Sequence, residues 1–176
     1  MSEQQERISF LEQLSVTDEL TGIPNRRGLR SALGQTLASA GRHGESGVLG
    51  FIDLDGFKHI NDVHGHMAGD AVLRYVAKAL KQHTRPSDTV ARIAGDEFAV
   101  ILKRCSADQG MKRLRTLQKE INAGKVRYGG ATIPVKCSIG VQAFDGTTDP
   151  ATLIEAADQA MYHDKQARKG AHLKTA

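Results

Sequence analysis

Four acids in two short segments are the residues of this chain best suited to chemistry. Asp53 and Asp55 lie in Phe51-Ile-Asp-Leu-Asp-Gly56, and Asp96 and Glu97 lie in Arg92-Ile-Ala-Gly-Asp-Glu-Phe98. The first pair ends a mostly apolar run, Val48 to Asp53, and strand period two returns residue 55 to the face of residue 53. The second pair sits between Thr89 to Ile93 and Phe98 to Leu102, two runs rich in β-branched and apolar residues. Gly95-Asp96 tolerates the positive φ of a tight hairpin, so Glu97 is surplus to the turn. Paired carboxylates suit a hard cation, but a calcium loop of the EF-hand type is excluded because Phe57 and Lys58 stand where an oxygen ligand and a glycine are needed. Taken singly, Asp-x-Asp also reads as the start of a loop and Gly-Asp-Glu as a solvated turn.

The elements that position these acids can be read from periodicity. Residues 4 to 14 form a helix with Ile8, Leu11 and Leu14 on one side, too short to establish a coiled coil. Asn25 is an N-cap for a helix bearing Leu29, Leu33 and Leu37 and closed by Gly41. Val48 to Asp53 is a buried strand that opens onto a site, and Asp70 opens a helix with Val72, Leu73, Val76 and Leu80 inward. Ser106 and Gln109 match a capping box, Val135 to Ala143 alternates as a strand, and Asp149-Pro150 begins the last helix. Helices alternate with strands around a central hairpin, so the fold class is α/β with a mixed central sheet flanked by helices.

The chain has 176 residues, 40% hydrophobic and 25% charged, which suits one globular domain. No run approaches the roughly 18 apolar residues of a membrane span, and the polar start lacks a signal-peptide core. We expect a cytoplasmic protein with reduced thiols, Cys105 and Cys137 being structural. A net charge of +4 with three Tyr and five Phe, the basic residues scattered, argues against nucleic-acid binding.

Six segments in register resemble the GGDEF-domain diguanylate cyclases. They are Asp18-Glu-Leu-Thr-Gly-Ile-Pro-Asn-Arg-Arg27, Phe51 to Asp62, Gly65-His-Met-Ala-Gly-Asp70, Arg92 to Phe98, Ser138-Ile-Gly-Val141 and Ala157-Asp-Gln-Ala-Met-Tyr162. The resemblance implies a signalling helix over 1–16, a nucleotide cyclase domain over 17–170 and a tail over 171–176, with a palm-like fold similar to the adenylyl cyclase core. It implies a homodimer in which each GTP attacks the other to give cyclic di-GMP and two pyrophosphates, with an N-terminal sensory domain in the full-length protein.

By the same resemblance, Asp53, the Leu54 carbonyl and Asp96 would hold Mg²⁺, with Mn²⁺ as a substitute; Asp96 would also accept a proton, and Glu97 would support the metal. If the carboxylates of Asp53 and Asp96 converge to about 4 Å, they repel by roughly 4 kcal/mol at an effective dielectric near 20, which a cation removes. Gly56, Phe57, Lys58, Lys165 and Lys169 would meet the phosphates, and Asn61 and Asp70 would read guanine, whose adjacent donors suit a carboxylate. Arg85-Pro-Ser-Asp88 resembles the family's RxxD product site, where Arg85 and Asp88 would bind cyclic di-GMP. His64 and His66 have no third ligand and are read as structural. Two departures stand out: Ala94 replaces the first glycine of the signature, and Lys169 replaces an arginine. They leave open an alternative, a weak or inactive receptor for cyclic di-GMP or GTP.

Overall fold

The computed structural model of the chain describes residues 3–173, apart from the side chains at positions 6, 9, 10, 12–14 and 169–173. Strand β1 (Gly47–Leu54) is buried along its whole length, and its sequence carries no charge before Asp53, as a strand covered on both faces requires. It lies third in a four-stranded sheet of order β2-β3-β1-β6, where β2 is Thr89–Ala94, β3 is Glu97–Lys103 and β6 is Cys137–Phe144.

All three pairings are antiparallel, which corrects the expectation of a mixed sheet while the helix-flanked α/β class stands. The cause is topological. β1 and β2 run the same way, joined through α3 (Phe57–His64) and α4 (His66–Gln82), but β3 folds back from β2 and inserts between them. Likewise β3 and β6, joined through α5 (Ala107–Ala123), are separated by β1. Two interleaved βαβ units therefore leave every strand with antiparallel neighbours.

Strand alternation divides β1 between two cores. Val48, Ile52 and Leu54 pack with α4 and α5, through Val72, Val76, Leu114 and Ile121 among others. Leu49 and Phe51 pack with α2 (Arg26–His43) and α6 (Pro150–Leu173), through Leu29, Leu33, Leu153, Ala157 and Met161. A fully buried side chain such as Ile52 contributes about 1.5–3 kcal/mol over leaving it exposed. Asp53 follows the odd-numbered set and reaches the α6 face where the apolar packing ends.

Local capping explains most helix boundaries. The Asn25 side chain accepts from the amides of Arg27 and Gly28, each at 3.0 Å, the Ser106–Gln109 capping box is formed, and Asp149 accepts from the Thr152 amide at 3.0 Å. Helix α2 passes Gly41 and closes instead on Gly44, whose φ of 66° is the left-handed terminator. Asp70 does not open its helix: α4 starts at His66, and Asp70 sits one turn in. Two elements had no counterpart in the sequence expectations, α3 and a hairpin of β4 (Lys125–Tyr128) with β5 (Ala131–Pro134). At the N-terminus, α1 (Glu3–Leu14) leaves Ile8 and Leu11 more than half exposed, and the Leu14 side chain is outside the described set. Among the described residues no helix is long and apolar enough to cross a membrane.

Candidate functional site

The site is built where β1 runs out. Asp53 stands opposite Glu97 on β3 and opposite Ser138 on β6. Directly opposed residues share a sheet face with Cβ atoms about 4.5–5.5 Å apart, so two like charges adjoin at the strand end. The Leu54 amide donates to the Asp96 carbonyl at 3.2 Å, which draws the tip of the β2–β3 hairpin against β1. Burial, then the charge of Asp53 beside it, pushes the Asp96 carboxyl up to about 6. The backbone thus brings residues 53 and 96 to the same strand end.

A cation already faces these acids. Lys165 of α6 places its ammonium on the Asp53 carboxylate, with side-chain exposures of 30% and 9% respectively. That hydrogen bond holds the Lys165 ammonium above its ordinary value. Asp55 turns to the same side and accepts from the Ser138 hydroxyl at 2.8 Å, which occupies it with the strand end. Among the described residues no three His, Cys, Asp or Glu side chains converge as a metal cage. Two carboxylates and a main-chain carbonyl nevertheless fit Mg²⁺, which completes its shell with waters and phosphate oxygens rather than with protein alone.

The hairpin tip is shaped differently from the expectation. Neither Gly95 nor Asp96 has a positive φ, and neither does Ala94. Instead Ile93 is an extra residue between the pairs Arg92–Phe98 and Ala94–Glu97, and such a bulge supplies added twist without left-handed backbone. Alanine at position 94 therefore carries no backbone strain.

Arg92 braces this tip. Its Nε donates to the Gly95 carbonyl at 2.9 Å and one terminal nitrogen to Asp18 Oδ1 at 3.1 Å, while the Pro24 carbonyl accepts from its amide at 2.8 Å. Burial would raise the Asp18 carboxyl, but hydrogen bonds from the Thr21 amide and hydroxyl, with the charge of Arg92, outweigh it and hold Asp18 below its ordinary value.

After β1 the chain turns at Gly56, whose φ of 69° lies in the left-handed region, and enters α3 with no side-chain cap. The Phe57 and Lys58 amides, at the first positions of α3, have no acceptor among the described residues, which makes the turn a nest of donors. Lys58 is exposed and forms no ion pair among the described residues.

One turn on, Asn61 Oδ1 is buried without a hydrogen-bond partner among the described residues. A Cβ on Gly69 would collide with the Asn61 amide and lie 3.2 Å from the Phe57 ring, so glycine is what lets α3 and α4 close here. Asp70 follows, partly exposed and unpaired among the described residues. An unpaired acceptor beside an unpaired carboxylate suits a ligand edge carrying donors.

The remaining expected residues separate. Glu97 lines a cavity of about 550 Å³ between the sheet, α2 and α6, with Arg26, Arg30 and Asp158 on its walls. The Lys169 side chain lies outside the described residues, and His64 and His66 are exposed. Arg85 is exposed. Asp88 is not a free acceptor: its side chain is 0% exposed and takes hydrogen bonds from Arg113 at 2.6 Å, the Arg85 amide at 2.9 Å and the Lys103 amide at 3.1 Å. The carboxylate expected to meet guanine is instead spent on holding its own turn and α5.

Sequence reasoning missed the roles of Arg92, Asp18 and Ser138. The Asp18-x-x-Thr21 spacing, which closes a local turn, was the available signal for the first two.

A family model for the diguanylate cyclase GGDEF domain matches residues 15–171. The chain is 40% identical over 155 residues to diguanylate cyclase DgcP of Pseudomonas aeruginosa, covering 88% of this chain and 23% of that protein. It is 37% identical over 162 residues to diguanylate cyclase A of Treponema denticola, covering 90% of this chain and 44% of that protein. The chain thus spans less than half the length of these curated relatives. Among solved structures, the GGDEF domain of DgcB from Caulobacter crescentus in complex with c-di-GMP superposes with a TM-score of 0.82 at 29% identity, over 87% of this chain and 91% of that one. A structure of TpbB from Pseudomonas aeruginosa comprising only the GGDEF domain superposes with a TM-score of 0.81 at 37% identity, over 86% and 89% of the two chains.

Proposed function

The chain belongs to the diguanylate cyclase GGDEF-domain family, and from that premise we propose that it is a Mg²⁺-dependent diguanylate cyclase condensing two GTP into cyclic di-GMP and two pyrophosphates as a homodimer. The observation that carries this reading is the meeting of Asp53 and Asp96 at one strand end, beside a turn of free amides and an unpaired Asn61.

Asp53, Asp96 and the Leu54 carbonyl would hold the metal, which when bound supplies charge stabilisation on the phosphates and acidifies the attacking hydroxyl. The amides of Gly56 and Phe57 donate to phosphate oxygens, and the left-handed turn at Gly56 lets the backbone approach them closely. Lys58 sets a compact positive charge where negative charge shifts to the leaving group. Asn61 and Asp70 accept from the donors of guanine; adenine lacks that donor pair and would leave the carboxylate unpaired. Glu97 adds negative charge beside Asp53, and Lys165 and Lys169, by the family resemblance, would be further phosphate contacts.

Each chain would carry one such half-site, and two copies facing each other would bring each ribose 3′-oxygen to the other's α-phosphorus. Product inhibition is proposed through Arg85, whose exposed guanidinium offers two donors to guanine, with Asp88 setting the loop.

Incubating the purified chain at high concentration with GTP and Mg²⁺ tests the reading. Pyrophosphate and cyclic di-GMP should appear together, and both should vanish in Asp96→Ala. Cyclic di-GMP binding without product, lost in Arg85→Ala, would instead support the receptor reading that Ala94 motivates. No change in melting temperature with saturating GTP and Mg²⁺ would remove both.

A further inference from the structure

The Lys165 ammonium sits on Asp53, the carboxylate that the cyclase reading gives to the metal, and the present inference rests on that reading. Three negative groups act on this lysine: Asp53 by contact, with Asp96 and Asp55 nearby. Asp53 is nine-tenths buried at the side chain and stands opposite Glu97, so without a counter-charge the strand end would hold an uncompensated buried anion. Lys165 is the only cation that an ion pair connects to this cluster among the described residues. It arrives on a flexible stem, partly buried, one turn beyond Met161 on the inward stripe of α6, and a lysine ammonium is a compact charge that can be moved without dismantling a fork of hydrogen bonds.

We propose that Lys165 is a placeholder for the metal. It balances the Asp53 and Asp96 pair while the site is empty of cation, and is displaced when a divalent ion takes Asp53, since two cations cannot share that carboxylate face without repulsion. The released ammonium is then free to turn to an incoming triphosphate. Lys165 is thus a positioning residue as well as a phosphate contact: it keeps the acids gathered before the substrate arrives and sets a threshold for metal binding.

Titrating Mn²⁺ alone into the nucleotide-free full chain separates this from a static ion pair. Lys165→Met and Lys165→Gln should bind Mn²⁺ on the order of tenfold more tightly than the parent. Lys165→Arg, which keeps the competing charge, should stay near the parent. Without metal, Lys165→Met should melt at a lower temperature, and Mn²⁺ should raise its melting temperature by more than it raises the parent's.

If the two neutral variants bind Mn²⁺ no more tightly than the parent while Asp53→Asn weakens binding, the exchange is wrong and the metal site stands. If Asp53→Asn leaves binding unchanged, the metal assignment itself fails. Circular dichroism of each variant confirms that the affinities compare folded proteins.

Discussion

Asp53 and Asp88 are both buried aspartates with a basic partner, yet the protein treats them in opposite ways. Asp88 is fully enclosed and receives three donors, from Arg113 and two backbone amides, with no other carboxylate among its partners. Asp53 receives one lysine and is crowded by Asp96 and, across the strand, by Glu97. A buried acid that is satisfied holds structure together. One that is surrounded by its own sign, with a single lysine against several acids, suits the proposed cation site, because one ammonium among the described residues does not balance the cluster.

The contrast can be tested from both sides. Asp96→Asn should lower GTP turnover on the order of 10³-fold, the loss expected when a group stabilising transition-state charge is removed. The same variant should keep or raise the melting temperature, because it relieves repulsion against Asp53. Asp88→Ala should do the reverse: a loss of about 3 kcal/mol in urea unfolding, since Arg113 and two amides are left unpaired, with turnover per folded molecule little changed. A stabilised Asp88 variant, or a destabilised Asp96 variant, would dissolve the distinction.

Asp18 gives a smaller effect with a definite sign. Its folded value is depressed below the ordinary 3.8, so its contribution is present above that pH and is lost as pH falls through the folded value. Asp18→Asn should flatten this acid limb of stability in a pH series of thermal melts and loosen the Arg92 brace on Gly95.

Ala94→Gly should do least. With no left-handed φ to relieve at position 94, restoring the signature glycine should cost about 0.5 kcal/mol of stability through backbone entropy rather than add any.

The places where the sequence was legible share a physical cause. Asn25, the Ser106–Gln109 pair and Asp149 cap their helices through local hydrogen bonds, so their spacing alone carries the information. The buried run before Asp53 announced a covered strand, and the two acidic segments were recognisable by residue type and order.

What was not legible depended on partners far along the chain. The strand order, and with it the wholly antiparallel pairing, follows from β3 inserting between β1 and β2, which no window of sequence encodes. The burial of Asp88 depends on Arg113 arriving from α5. Helix α3 was hidden because it is short and has only Ile60 buried. The β4–β5 hairpin is different, since Gly129 and Gly130, both with positive φ, were a usable turn signal that went unread.

The separation between Asp53 and Lys165 also bears on how the molecule is made. The two are 112 residues apart, so a nascent chain that has emerged only as far as β6 has its strands but not the charge that balances their acids. Release of α6 is then the event that neutralises the strand end, and fragments stopped just before position 165 should be less stable than the chain carrying it in urea unfolding. Synthesis would thus lay down the strands before the charge that balances their acids.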